Sequence, residues 1–211
     1  MFKSVLLCYA AAVALISASP QLLNATDEEG APVFRLGAPT FFGSGCPANS
    51  VRVVTASDGQ SVSVLFSDYI AGTHSNKKRV RKSCNLAMPV DVQSGVSLGI
   101  FRVDYRGYAY VPRQSGSYAK FNVEYYWAGQ RGPVASKTYS PGFDDDVFIS
   151  HKLGVGAVVW SPCGAATNFR INSGITAYKK QSHHEDAEIA IDSIDTTVER
   201  GFRYYLTWRR C

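Results

Sequence analysis

Beyond its amino terminus, this 211-residue chain has no stretch near the roughly 20 consecutive apolar residues that a membrane-crossing helix needs. Its mean hydropathy of −0.09 excludes a polytopic membrane protein as well. Methionine occurs twice, and long runs of Ala, Leu, Glu and Lys are scarce outside the first segment, so the helices of a parallel α/β enzyme have little to form from. No C-x-x-C pair and no H-E-x-x-H string is present, which removes the usual zinc signatures. No phosphate-cradling glycine loop before a helix and no serine-nucleophile elbow is read. Eighteen glycines and nine prolines follow no triplet period, so a collagen-like fibre is excluded. What is present, 45% apolar, 12% aromatic and only 18% charged residues, suits one globular domain with a sizeable core.

The first 19 residues read as a secretory signal peptide. Lys3 gives the positive start, Val5 to Ile16 the apolar run, and Ser17, Ala18 and Ser19 the small residues before cleavage. Loss of Lys3 with that segment leaves 21 basic against 17 acidic residues, a net charge of +4. That balance favours adhesion to acidic surfaces such as cell-wall polymers and is too small and dispersed for nucleic acid. Cys8 leaves with the signal. The remaining Cys46, Cys84, Cys163 and Cys211 suit two disulfides in an oxidising compartment. Of three possible pairings, nearest neighbours in sequence, Cys46 with Cys84 and Cys163 with Cys211, are favoured. The expectation is a secreted, extracellular protein with no membrane span.

Residues 20–40 read as an extended lead carrying a glycosylation sequon at Asn24, and residues 41–211 as a single domain. From Thr40 onward, short segments alternate apolar and polar residues between Gly, Pro, Asp and Ser. That is the pattern of antiparallel strands with one buried face. Val51 to Thr55 and Ser61 to Phe66 flank Asp58-Gly59 and should form a hairpin. Phe101, Val103 and Tyr105 should share one face; so should Phe121, Val123, Tyr125 and Trp127, and again Phe202, Tyr204, Leu206 and Trp208. Further strands are expected at 84–92, 132–140, 147–160, 168–178 and 187–194. About ten short strands point to an all-β, disulfide-stapled antiparallel β-sandwich of jelly-roll or immunoglobulin-like kind.

Four cysteine-bearing segments, Gly43-Ser44-Gly45-Cys46-Pro47, Arg81-Lys82-Ser83-Cys84, Trp160-Ser161-Pro162-Cys163-Gly164 and the terminal Trp208 to Cys211, punctuate the chain. With Val103-Asp104-Tyr105-Arg106-Gly107-Tyr108 and Asp192-Ser193-Ile194-Asp195 in the same order, they resemble the secreted family catalogued as domain of unknown function 4360. The resemblance spans about residues 43–211 and implies secretion by fungi, oomycetes and other microbes, with no activity attached. The basic run Lys77 to Lys82 is more heavily charged than the stretch the family carries there.

Several groups are candidates for chemistry. The basic run could hold an anionic polymer, though a solvated loop before Cys84 accounts for it. His183 and His184 are adjacent and in an extended chain point apart, so an exposed loop is favoured over a shared metal. Asp144, Asp145 and Asp146 read as a turn of solvated acids rather than a calcium site, which needs six to eight oxygens. No metal and no cofactor is expected. Asp104 and Arg106 can pair on one strand face, and with Tyr108 and Trp127 they form the candidate binding set. Aromatic faces on a sandwich stack on sugar rings while Arg and Asp hold the hydroxyls. Tyr110, Tyr126, Tyr139, Tyr204, Tyr205 and Trp208 are counted with these aromatics. The expected function is therefore non-catalytic recognition of cell-wall or extracellular polysaccharide. The alternatives are a hydrolase acting on such a polymer and a secreted effector or structural protein that binds another protein.

Overall fold

The computed structural model describes residues 34–55, 61–74, 77–113, 116–153, 158–180, 185–191 and 202–211. The expected signal peptide, Asn24, the Asp58-Gly59 turn, His183, His184 and residues 192–195 lie outside them, as do the side chains of Phe101, Phe202, Tyr204 and Tyr205.

Among the described residues every regular element is a strand, and every pairing is antiparallel. One sheet holds six strands: β1 (Phe34–Leu36), β2 (Thr40–Phe42), β6 (Arg79–Val92), β8 (Tyr118–Trp127), β9 (Val134–Tyr139) and β12 (Thr167–Tyr178). Its order is β1-β6-β12-β8-β9, with β2 also on β6. The other holds eight: β3 (Val51–Thr55), β4 (Ser61–Phe66), β5 (Ile70–Gly72), β7 (Val96–Tyr110), β10 (Asp144–Lys152), β11 (Val159–Trp160), β13 (Glu188–Ala190) and β14 (Phe202–Arg210). The long β7 is its spine, paired with β14 and then β13 along one edge, and with β11 and then β10 along the other.

Side chains alternate across a strand, so a period-two apolar pattern places one face inward. In β8, Phe121, Val123, Tyr125 and Trp127 are buried and Lys120, Asn122 and Glu124 half-buried. The two inner faces meet in one core: the Tyr105 ring on β7 lies 4.6 Å from Phe121 on β8, and the Trp127 indole N–H donates to the Val159 carbonyl on β11 at 2.9 Å. Two antiparallel sheets facing each other across such a core form a β-sandwich.

Five expectations on the strands change. In β7 the inward residues are Leu98 and Ile100, then Val103 and Tyr105. Tyr205 stands opposite Arg102 while Leu206 stands opposite Ile100, so Phe101 is the extra residue of a bulge that inverts the inward phase. Arg79 to Lys82 lie in strand β6 rather than a loop, and Asp144 to Asp146 begin strand β10 rather than forming a turn. The expected 147–160 strand is two, β10 and β11, and Phe34 to Leu36 of the expected lead pair with Val90 to Val92.

Both disulfides join nearest neighbours in sequence, Cys46 with Cys84 and Cys163 with Cys211. The glycines before Cys46 allow this approach. A β-carbon on Gly43 would meet the Ser83 carbonyl oxygen at 2.1 Å, and one on Gly45 would meet the Tyr69 ring at 2.3 Å.

Candidate functional site

After the bulge, the outward positions of β7 are Arg102, Asp104, Arg106, Tyr108 and Tyr110, because Val103, Tyr105 and Ala109 turn inward. Strand β10 continues this outer face: Phe148 stands opposite Arg106, and Asp146 opposite Tyr108. Three of the four expected binding residues thus share one face, Asp104, Arg106 and Tyr108.

Trp127 is not on it. The side chain is 1% exposed and points between the sheets, since residue 127 has the parity of Phe121 and Tyr125. The Asp104 pairing is also corrected. Its carboxylate receives a forked contact from Arg102, Nε to Oδ1 at 2.9 Å and Nη2 to Oδ2 at 2.7 Å. Arg106 instead lays its guanidinium 5.2 Å above the ring of Phe148, which is 57% exposed.

Beyond Tyr108 the face becomes acidic. The Tyr108 hydroxyl donates to Asp144, and this bond to a carboxylate holds the phenol proton so that its pKa is pushed up to about 12. Tyr110 donates to Glu185 at 3.3 Å. Burial, then the negative charge of Glu185, raise the Tyr110 pKa. His74 reaches two carboxylates, with Nδ1 3.1 Å from Asp186 and Nε2 3.1 Å from Glu188. Hydrogen bonding to Asp186 is the main cause of the raised His74 pKa. Asp186 also accepts from the Lys179 ammonium, and that bond holds its carboxyl below the ordinary aspartate value. None of these groups makes a metal site: among the described residues no cluster of His, Cys, Asp and Glu has the arrangement to hold an ion.

The opposite end of the same face is basic and aromatic. Trp160 on β11 stands beside Gly99, and the Arg209 guanidinium lies 4.3 Å from the centre of its indole. A Gly-x-Ser-x-Gly spacing does occur here as Gly95-Val96-Ser97-Leu98-Gly99. It is no elbow, because it runs along β7 instead of turning from strand to helix. Ser97 is 3% exposed with its Oγ 3.3 Å from Cys211 Sγ.

Of the other aromatics, Tyr139 is in the core, and Tyr126 accepts from Asn172 on the outer face of the six-stranded sheet. His74 lies 112 and 114 residues from Asp186 and Glu188, so no local pattern marks it, whereas Lys179 is only seven residues from Asp186. Phe148 could have been found, since Val147 and Ile149 flank it with inward parity.

A family model described as Domain of unknown function (DUF4360) matches residues 34–211. An "Uncharacterized secreted protein" of Arthroderma benhamiae is 31% identical over 177 residues, covering 82% of this chain and 69% of that protein.

Proposed function

The chain belongs to the family described as Domain of unknown function (DUF4360), and on that footing we propose that it is a secreted, non-catalytic protein that binds cell-wall or extracellular polysaccharide on the outer face of its eight-stranded sheet. The carrying observation is the exposed Arg106–Phe148 pair on the outer face with Tyr108 beside it, Asp104 being buried under the Arg102 fork. A solvent-facing ring offers a sugar an apolar plane, the flanking guanidinium donates to hydroxyls, and the Tyr108 oxygen, whose proton goes to Asp144, accepts from one. Export is supported by the relative described as secreted and by two disulfides, which persist in oxidising compartments. A binding role is favoured over hydrolysis because a glycosidase acid needs a carboxyl held protonated near neutral pH. Asp186 is shifted the other way and Asp104 sits in an arginine fork.

The test is retention on insoluble glucan, chitin and cellulose. The mature protein should be held by at least one polymer and released after Phe148→Ala with Arg106→Ala. Passage of the unaltered protein through all three would refute the reading.

A further inference from the structure

At the basic end of the sheet, a cleft of about 570 Å³ opens between the loop joining β8 to β9 and strands β11 and β14. That is within the usual range for a small-ligand site. It is lined by Arg131, Trp160 and Arg209 among others, and no acidic residue lines it. We infer that this cleft is a subsite for a carboxylate-bearing sugar unit, a uronic acid, within the polymer that the sheet face binds; the inference rests on the reading proposed above.

Two features carry it. The first is charge: Arg131 and Arg209 are both exposed at the cleft, so an anion there meets two guanidiniums and no carboxylate of the lining. The second is preparation. Arg209 is stacked on Trp160, and a guanidinium held against an aromatic plane keeps its donor fork set for a carboxylate while losing less freedom on binding. The seat of Trp160 is itself built, since a β-carbon on Gly99 would come within 2.9 Å of the indole and 2.7 Å of Val158. The Cys163–Cys211 bridge ties the chain just after Trp160 to the chain just after Arg209. Arg209 is thus the recognising group and Trp160 its positioning residue.

The test titrates the full mature protein with oligogalacturonate and with the same oligomer fully methyl-esterified, which keeps the sugar chain and removes the charge. The free acid should bind at least about tenfold more tightly, as expected for a forked charge-assisted contact, and raised salt should shrink the difference. Arg209→Ala should abolish the preference and Arg209→Lys should restore part of it, with unfolding midpoints lowered only slightly by loss of the exposed Arg209–Trp160 stack. Equal binding of acid and ester, or a preference that survives Arg209→Ala, overturns the inference. If either occurs while neutral polymer is still held through Phe148, the sheet-face reading stands alone; if no glycan binds in any form, both fall.

Discussion

At one end of the eight-stranded sheet's outer face, the carboxylates are occupied from within: Tyr108 donates to Asp144, Tyr110 to Glu185, and His74 and Lys179 converge on Asp186. At the other end, Arg131 and Arg209 line a cleft that contains no acid. Both ends stand on the same strand, β7, with the bulge at Phe101 between them. The acidic end ties β5, β13 and the end of β12 to the sheet, whereas the basic end leaves its donors facing outward. Charge on a surface marks a binding region only where the fold has not already paired it.

The largest effect should come from cutting the bridge at the basic end. In the chain-entropy view, closing the 48-residue separation between Cys163 and Cys211 stabilises by about 4 kcal/mol. Replacing both by Ser should lower the unfolding free energy in denaturant by that order and weaken acidic-glycan binding together. Unchanged binding in the folded double variant would show that the cleft does not depend on this tie. Gly99→Val comes next. Overpacking of this kind costs about 1–3 kcal/mol, and displacement of Trp160 should appear as a changed tryptophan emission.

Probes of the acidic end should give smaller changes. Asp144→Asn removes the carboxylate that holds the Tyr108 proton. The Tyr108 phenol should then titrate nearer the ordinary value of about 10 than the present value of about 12, as read by ultraviolet absorbance. The smallest effect belongs to His74→Ala, under about 1 kcal/mol because the imidazole is exposed. The sign follows from the two shifts. The raised His74 pKa gives stability that is complete below 6.5 and fades as pH rises through the folded value. The depressed Asp186 pKa gives stability that is complete above 3.8 and fades as pH falls through its folded value. Melting curves of wild type and His74→Ala should therefore differ most between those pH values and converge on either side. A difference that grows above neutral pH would contradict the assignment.

Much of the architecture was legible because period-two alternation is local. The β3–β4 hairpin, the β8 face and the β12 strand all follow from it, and nearest-neighbour pairing of the cysteines matches the two bridges. The bulge was not legible: Phe101 continues the alternation in sequence, and only pairing with β14 shows that it is the extra residue. Trp127 belongs to the candidate binding set by residue type, yet it shares the parity of Phe121, Val123 and Tyr125, so its burial is legible in the alternation. The contacts of His74 with Asp186 and Glu188 cross more than a hundred residues, and no local pattern carries them. Asp104 and Arg106 have the same-face spacing of a pair, but Arg102 has it too, and the fork chose Arg102.

The central claim is that recognition happens on the outer face of the eight-stranded sheet, at Arg106 and Phe148. It is tested most directly by comparing retention of the mature protein on insoluble glucan, chitin and cellulose with that of the Arg106→Ala, Phe148→Ala variant, after circular dichroism has shown both to be folded. The account predicts that the first is held and the second is released. Equal retention of the two would place recognition elsewhere on the molecule and contradict it.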